Sequence, residues 1–275
     1  MALQPSIIFI SLGLALVVII WGARRYRIMM RRNRLLQTPL SSEYITLLEN
    51  NVPLYTRLPK ELRETLQGCI NHFLDEKVFV GCDGLAINDE IRLVIAANAC
   101  MLLVNSKMKH FSGFETILVY PDTYIAKNVR YDGLVEVHEH STRAGESWYR
   151  GPIVLSLADV VRGSNNEHDG HNVVLHEFAH KLDEENGVMD GLPVLRESAH
   201  YKEWAEVLTR EYDEFLERVK RGKNKVIDEY GAVSAPEFFA VATESFFEKS
   251  KQMKKRLPGL YQQLQTYYGL DPAAW

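Results

Sequence analysis

In the stretch His171-Asn172-Val173-Val174-Leu175-His176-Glu177-Phe178-Ala179-His180-Lys181-Leu182-Asp183, two histidines stand four apart and a glutamate follows the first. On an α-helix, residues four apart lie one turn apart on the same face. His176 and His180 can then aim two imidazoles at one point. Glu177 sits about 100° round the helix from His176, placed to reach a water on a bound ion without being a ligand. Two His ligands and a carboxylate general base are the working parts of a zinc hydrolase. Val173, Val174, Leu175, Phe178, Ala179 and Leu182 surround these polar residues with apolar ones. That predicts a buried helix, and buried imidazoles need partners.

Two histidines do not complete a catalytic zinc site. A third protein ligand is required, with solvent in the fourth position. The metzincin spacing would put His or Asp where Asn186 stands and Gly where Asp183 stands, so this sequence excludes it. The gluzincin arrangement takes a Glu from a later helix. Between Tyr230 and Phe247, Ser234 can cap a helix and Pro236 fits its first turn. Glu237 then falls beside the positive end of the helix dipole, which favours a charged carboxylate. Glu244 follows two turns along the same side. Glu237 as ligand, with Glu244 as the partner of a ligand, is preferred to the reverse order. Phe238, Phe239, Phe246 and Phe247 predict that this helix is buried as well.

His-Glu-Phe-Ala-His-Lys-Leu-Asp at 176–183, followed by Tyr-x6-Glu-Phe-Phe-Ala from Tyr230, resembles the Mlc titration factor A family of zinc peptidases. The same two motifs resemble the catalytic domain of anthrax lethal factor. Likeness to the first family runs from about residue 50 to the end of the chain, and includes Gly151-Pro152-Ile153-Val154-Leu155 and Asp169-Gly170-His171-Asn172. The resemblance implies Glu237 as the ligand, seven positions after Tyr230. It implies one Zn²⁺ per chain, held by His176, His180 and Glu237, with a metal-bound water as nucleophile and Glu177 as general base. Tyr230 is then the hydroxyl that stabilises charge on the carbonyl oxygen. The resemblance further implies a peptide substrate and an aminopeptidase-like activity on short peptides. The family's known partner supplies the alternative, a regulatory protein that sequesters a transcriptional repressor. Asp183, one turn after His180, either orients a ligand imidazole or is a helix-end charge.

The elements that must hold these residues are mostly helical. We expect an α+β, zincin-like domain over 51–275 with a small mixed sheet. A helix begins at Pro59-Lys60, and a second, capped by Asn88 or Asp89, runs from Ile91 to about Val104. Phe114–Tyr120 reads as a strand and Leu134–His138 as a weaker one. Ile153–Ser156 reads as an edge strand beside Pro152, where extended peptide could pair. His138 and His140 alternate with Glu139, and there a second metal site competes with ordinary strand histidines. Asp169 is the expected cap of the metal helix, Asn186-Gly187 its end, and Tyr201–Lys220 a long amphipathic helix.

Ahead of this domain, residues 6–23 are apolar and are followed by Arg24, Arg25, Arg27, Arg31, Arg32 and Arg34. A run just long enough to span a bilayer, basic on its C-terminal side, predicts a transmembrane helix and a basic juxtamembrane linker over 24–50, of which Leu35 to about Asn51 reads as linker or a short pre-helix. The chain would then be single-pass in the inner or plasma membrane, with its catalytic domain cytoplasmic. Three widely spaced cysteines form no disulfide framework and no zinc knuckle. A net charge of −4 carries no basic excess, so nucleic acid is not an expected partner.

Overall fold

The computed structural model describes residues 5–106, 110–122, 124–132, 135–143, 145–147, 151–195 and 197–275, without the side chains of 5–12 and 124–147. Helices come first: α1 (Pro5–Gln37), α2 (Ser42–Asn51), α3 (Pro53–Arg57) and α4 (Lys60–Glu76). Strand β1 (Val78–Gly81) and helix α5 (Asp89–Met101) follow. Then come β2 (Thr116–Tyr120), β3 (Tyr124–Asp132), β4 (Val135–Arg143), β5 (Gly145–Ser147) and β6 (Ile153–Ser156). The remainder is helical: α6 (Leu157–Asn165), α7 (Val173–Asp183), α8 (His200–Lys220), α9 (Ala235–Glu248), α10 (Ser250–Arg256) and α11 (Pro258–Tyr268). This is the mostly helical α+β architecture expected from the sequence.

The main sheet has the order β1-β2-β6-β5, with β1, β2 and β6 parallel and β5 antiparallel to β6. Ile117 lies opposite Ile153 and Val119 opposite Leu155, all buried. A strand covered on both faces reads as a continuous apolar run, and all of Ile153–Ser156 is buried. The expected edge strand is therefore an interior one. Pro152 stands just outside it, so no ladder donor is lost. The edge beside α7 belongs to β5, whose Gly-Glu-Ser carries none of the β-branched residues that mark a strand in sequence. Strands β3 and β4 pair as a separate antiparallel hairpin. His138 and His140 fall on β4, but as a second metal site they lie outside the residues whose side chains are described.

The helices that hold the chemistry are buried from both directions. Asn88 caps α5 by accepting the Ile91 N–H at 2.8 Å. Leu66, Ile70 and Phe73 bury one stripe of α4. Phe178 of α7 packs into an aromatic group, its ring 5.6 Å from Phe73, 4.8 Å from Phe111 and 5.9 Å from Phe114. Burying one such ring contributes roughly 2–3 kcal/mol. Phe238, Phe239, Phe246 and Phe247 bury the whole girth of α9, against Trp204 of α8 and Tyr261 and Tyr268 of α11. A helix buried on nearly every side is held at the centre of a domain rather than on its surface, here with its glutamates turned toward α7.

Among the described residues no helix is long and apolar enough to cross a membrane. The first part of the span expected over 6–23 lies outside the residues whose side chains are described. Helix α1 continues through the arginines as one helix to Gln37. Its last turns lie along α4, where Arg31 pairs with Asp75. Residues 24–37, expected as linker, complete α1, and 42–51 form the short helix that was the alternative there, α2, capped by Ser41, with Leu48 fully buried.

Candidate metal centre

His176 and His180 project from α7 and Glu237 from the first turn of α9. The cap of α7 is Asn172, not Asp169: its Oδ1 accepts the Leu175 N–H at 3.1 Å. Asp169 instead accepts the His171 N–H two residues on, a turn bond that ends before the helix begins. Helix α9 starts as its sequence predicts, with Ser234 accepting the Glu237 N–H and Pro236 in the first turn. That cap fixes the position of Glu237 along the helix and so its reach toward α7.

Three donor atoms converge. His176 Nε2 lies 3.0 Å from Glu237 Oε2, His180 Nε2 lies 3.4 Å from the same oxygen, and the two Nε2 atoms are 3.2 Å apart. Ligands about 2.0–2.1 Å from a tetrahedral ion stand about 3.3 Å from one another. Among the described residues this is the one group of three His, Cys, Asp or Glu able to hold a metal ion. Glu244 sits behind it: its acceptor oxygen Oε1 lies 2.8 Å from His176 Nδ1, so a proton on that nitrogen would be donated to it. In the neutral ring with its proton on Nδ1, the Nε2 lone pair would face the other two donors, as a metal ligand requires.

The electrostatics also call for a cation. Burial works against a charged His176, but hydrogen bonds to Glu237 and Glu244 outweigh it and hold the imidazole well above its ordinary pKa. Burial likewise raises Glu237, and its hydrogen bonds to the two histidines overcome this and bring the carboxyl to about 2. Glu177 is only 4% exposed, and burial pushes its pKa up. Its Oε2 and the Nδ1 of His180 are buried without a hydrogen-bond partner. Three carboxylates around two imidazoles, with orphaned polar atoms among them, fit a divalent ion and the solvent it brings.

A model of the glucose-regulated metallo-peptidase M90 family matches residues 27–269. The chain belongs to that family. Membership implies a metal ion, and the His176–His180–Glu237 group is compatible with one. The chain is 38% identical over 270 residues to the uncharacterized protein slr2042 of Synechocystis sp., with 98% of both chains covered. It is 32% identical over 227 residues to Mlc titration factor A of Escherichia coli O7:K1, covering 81% of this chain and 84% of that one. Mlc titration factor A of Shigella flexneri is 31% identical over the same length.

Tyr230 lies on the 3-10 turn Glu229–Ala232, 52% exposed, its ring 6.0 Å from that of His176. The structure therefore brings Glu177, Tyr230, His176, His180, Glu237 and Glu244 to one place. Asp183 goes elsewhere. Its Oδ2 accepts the Gly191 N–H at 2.8 Å, which ties the loop after α7 to the helix end, and burial raises its carboxyl to about 6.

Sequence reasoning missed the residues behind Glu244. Asn172 donates its own backbone N–H to Glu244 Oε2, and its Nδ2 to Glu248 Oε1 at 3.1 Å and Asn98 Oδ1 at 3.0 Å. Asn98 in turn donates to Ser164 Oγ at 3.0 Å. One asparagine thus caps the metal helix and links it to α5 and α9. The local signal was available: Asn is among the strongest helix caps, and it stands directly before the apolar run.

Proposed function

We propose that this member of the metallopeptidase family is a zinc-dependent peptidase of the gluzincin type. The observation that carries the reading is the convergence of three donor atoms within 3.0–3.4 Å beside a buried, unpartnered glutamate oxygen. A divalent ion bound there supplies Lewis acidity, which lowers the pKa of water from about 15.7 toward about 7 and polarises a carbonyl. His176, His180 and Glu237 would hold it, and Glu244 fixes the His176 ring. Glu177 accepts the proton of the attacking water at its carboxylate and returns it to the leaving amine. Its raised pKa brings it toward the working range of a general base. Tyr230 donates its hydroxyl to the developing oxyanion, a role worth about 2–4 kcal/mol. Zinc suits two imidazoles and a carboxylate. An aminopeptidase-like preference for short peptides is the finer reading.

Glu177→Gln tests this. The variant keeps its metal by elemental analysis and loses peptide hydrolysis; retained turnover would remove Glu177 as the base. A second reading is supported by the name of the relatives, which describes titration of Mlc. The chain would then bind a transcriptional repressor and restrain it. Since a binder needs no general base, Glu177→Gln would leave such binding intact while abolishing hydrolysis, which separates the two roles.

A further inference from the structure

Asp169-Gly170-His171-Asn172 belongs to the sequence pattern, yet the proposed chemistry uses none of it directly. Its geometry gives it a task. Asp169 Oδ2 takes a hydrogen bond from Asn166 and Oδ1 one from the His171 N–H at 2.9 Å, closing a tight turn. Gly170 lies in the left-handed region at φ +74°, and a Cβ there would stand 3.0 Å from Lys249 Cδ. This turn sends its last two side chains apart. Asn172 goes inward to the acids of α9, and His171 outward to Asp228.

His171 Nε2 is 3.3 Å from Asp228 Oδ2. The other oxygen of that carboxylate, Oδ1, accepts the Tyr230 N–H at 2.7 Å and caps the turn on which Tyr230 stands. A single carboxylate therefore joins the start of the metal helix to the tyrosine that faces the metal group. A one-turn 3-10 helix has little persistence of its own, and Tyr230 is half exposed. An oxyanion donor is effective only when it is fixed before charge develops. We propose that Asp228, held by His171, is a positioning residue that sets Tyr230 against the metal centre. The proposal rests on the reading of Tyr230 as the oxyanion donor.

The experiment uses the full-length, zinc-loaded protein with alanyl p-nitroanilide as probe, and a double-mutant cycle between Asp228→Ala and Tyr230→Phe. Asp228→Ala is expected to lower kcat about tenfold, with KM within about twofold and zinc content unchanged. In the Tyr230→Phe background the same substitution should cost nothing further, because both act through one hydroxyl. Asp228→Asn, which keeps an acceptor for the Tyr230 N–H, should recover most of the rate. His171→Ala should repeat the loss in weaker form. Hydrogen exchange supplies a readout independent of turnover: the Tyr230 amide should lose protection in Asp228→Ala while α7 stays protected. Fully additive losses, an unchanged kcat in a protein that turns the probe over, or unchanged exchange at Tyr230 would each overturn the proposal. An unchanged kcat in Tyr230→Phe would instead remove Tyr230 as donor, which is a failure of the underlying reading. If the probe is not turned over, the exchange result alone decides.

Discussion

His176 is gripped from both sides, by Glu237 at one ring nitrogen and Glu244 at the other. The two carboxylates have different work. The first shares its oxygen with His180 and so sits where an ion would be; the second touches only the back of the ring and the Asn172 N–H. Glu244→Ala is therefore expected to weaken zinc binding about 10–100-fold without removing a ligand, as measured by competition with a chromophoric chelator. Undiminished affinity would strike Glu244 from this role. Asp183→Asn should leave zinc affinity unchanged, because its carboxylate serves the Gly191 N–H rather than an imidazole. The three converging donors, and Glu177 beside them, were legible in sequence because their signals are local: four-residue spacing on one helix and a cap with proline on another. Glu248 and Asn98 were not. They meet Asn172 across 76 and 74 positions of chain, and no pattern within one sequence links residues so far apart.

At the scale of elements, the metal helix depends on its first residue. Asn172→Ala removes the cap, at about 1 kcal/mol, and leaves buried acceptors on Glu248 and Asn98 without their donor, at roughly 1–3 kcal/mol more. Asn172→Ser retains a capping oxygen and should show only the second loss. Asp169→Ala should cost much less than either. Chemical denaturation midpoints, compared at constant slope, check all three; an Asp169→Ala loss as large as that of Asn172→Ala would return the cap to Asp169. Helices α4, α5, α8 and α9 were readable because each shows a 3.6-residue stripe or a cap. Strand β1, with only Val-Phe-Val-Gly, is too short to show alternation, and β5 lacks strand-forming residues altogether. Which strand forms the edge is a property of pairing across the sheet. That is why the run Ile153–Ser156 reads as a strand in sequence while its interior place in the sheet does not.

For the whole molecule, the junction between α1 and the body carries an acid-sensitive point distinct from the metal centre. His72 on α4 is 3% exposed, and its Nδ1 has no hydrogen-bond partner. Burial lowers its pKa to about 4, helped by Arg32 of α1 and by His110, while Asp75 opposes the shift. Glu76 stands 3.4 Å from Nδ1, and its own carboxyl is raised by burial. The folded chain thus favours a neutral imidazole, whereas the unfolded chain titrates near 6.5. Because the folded pKa is depressed, the stability contributed by neutral His72 is complete above about 6.5. It is lost progressively as pH falls toward the folded value of about 4. With about 1.4 kcal/mol per unit, the loss across that window is roughly 3 kcal/mol. His72→Gln cannot take up this proton. Its Tm should therefore fall less than that of the parent between pH 7 and pH 4, by several degrees, whatever the substitution costs in packing at neutral pH. Parallel Tm profiles for the two proteins would show that the histidine is not where acid enters. A parent profile that flattens below its folded pKa would place the transition where the buried ring puts it.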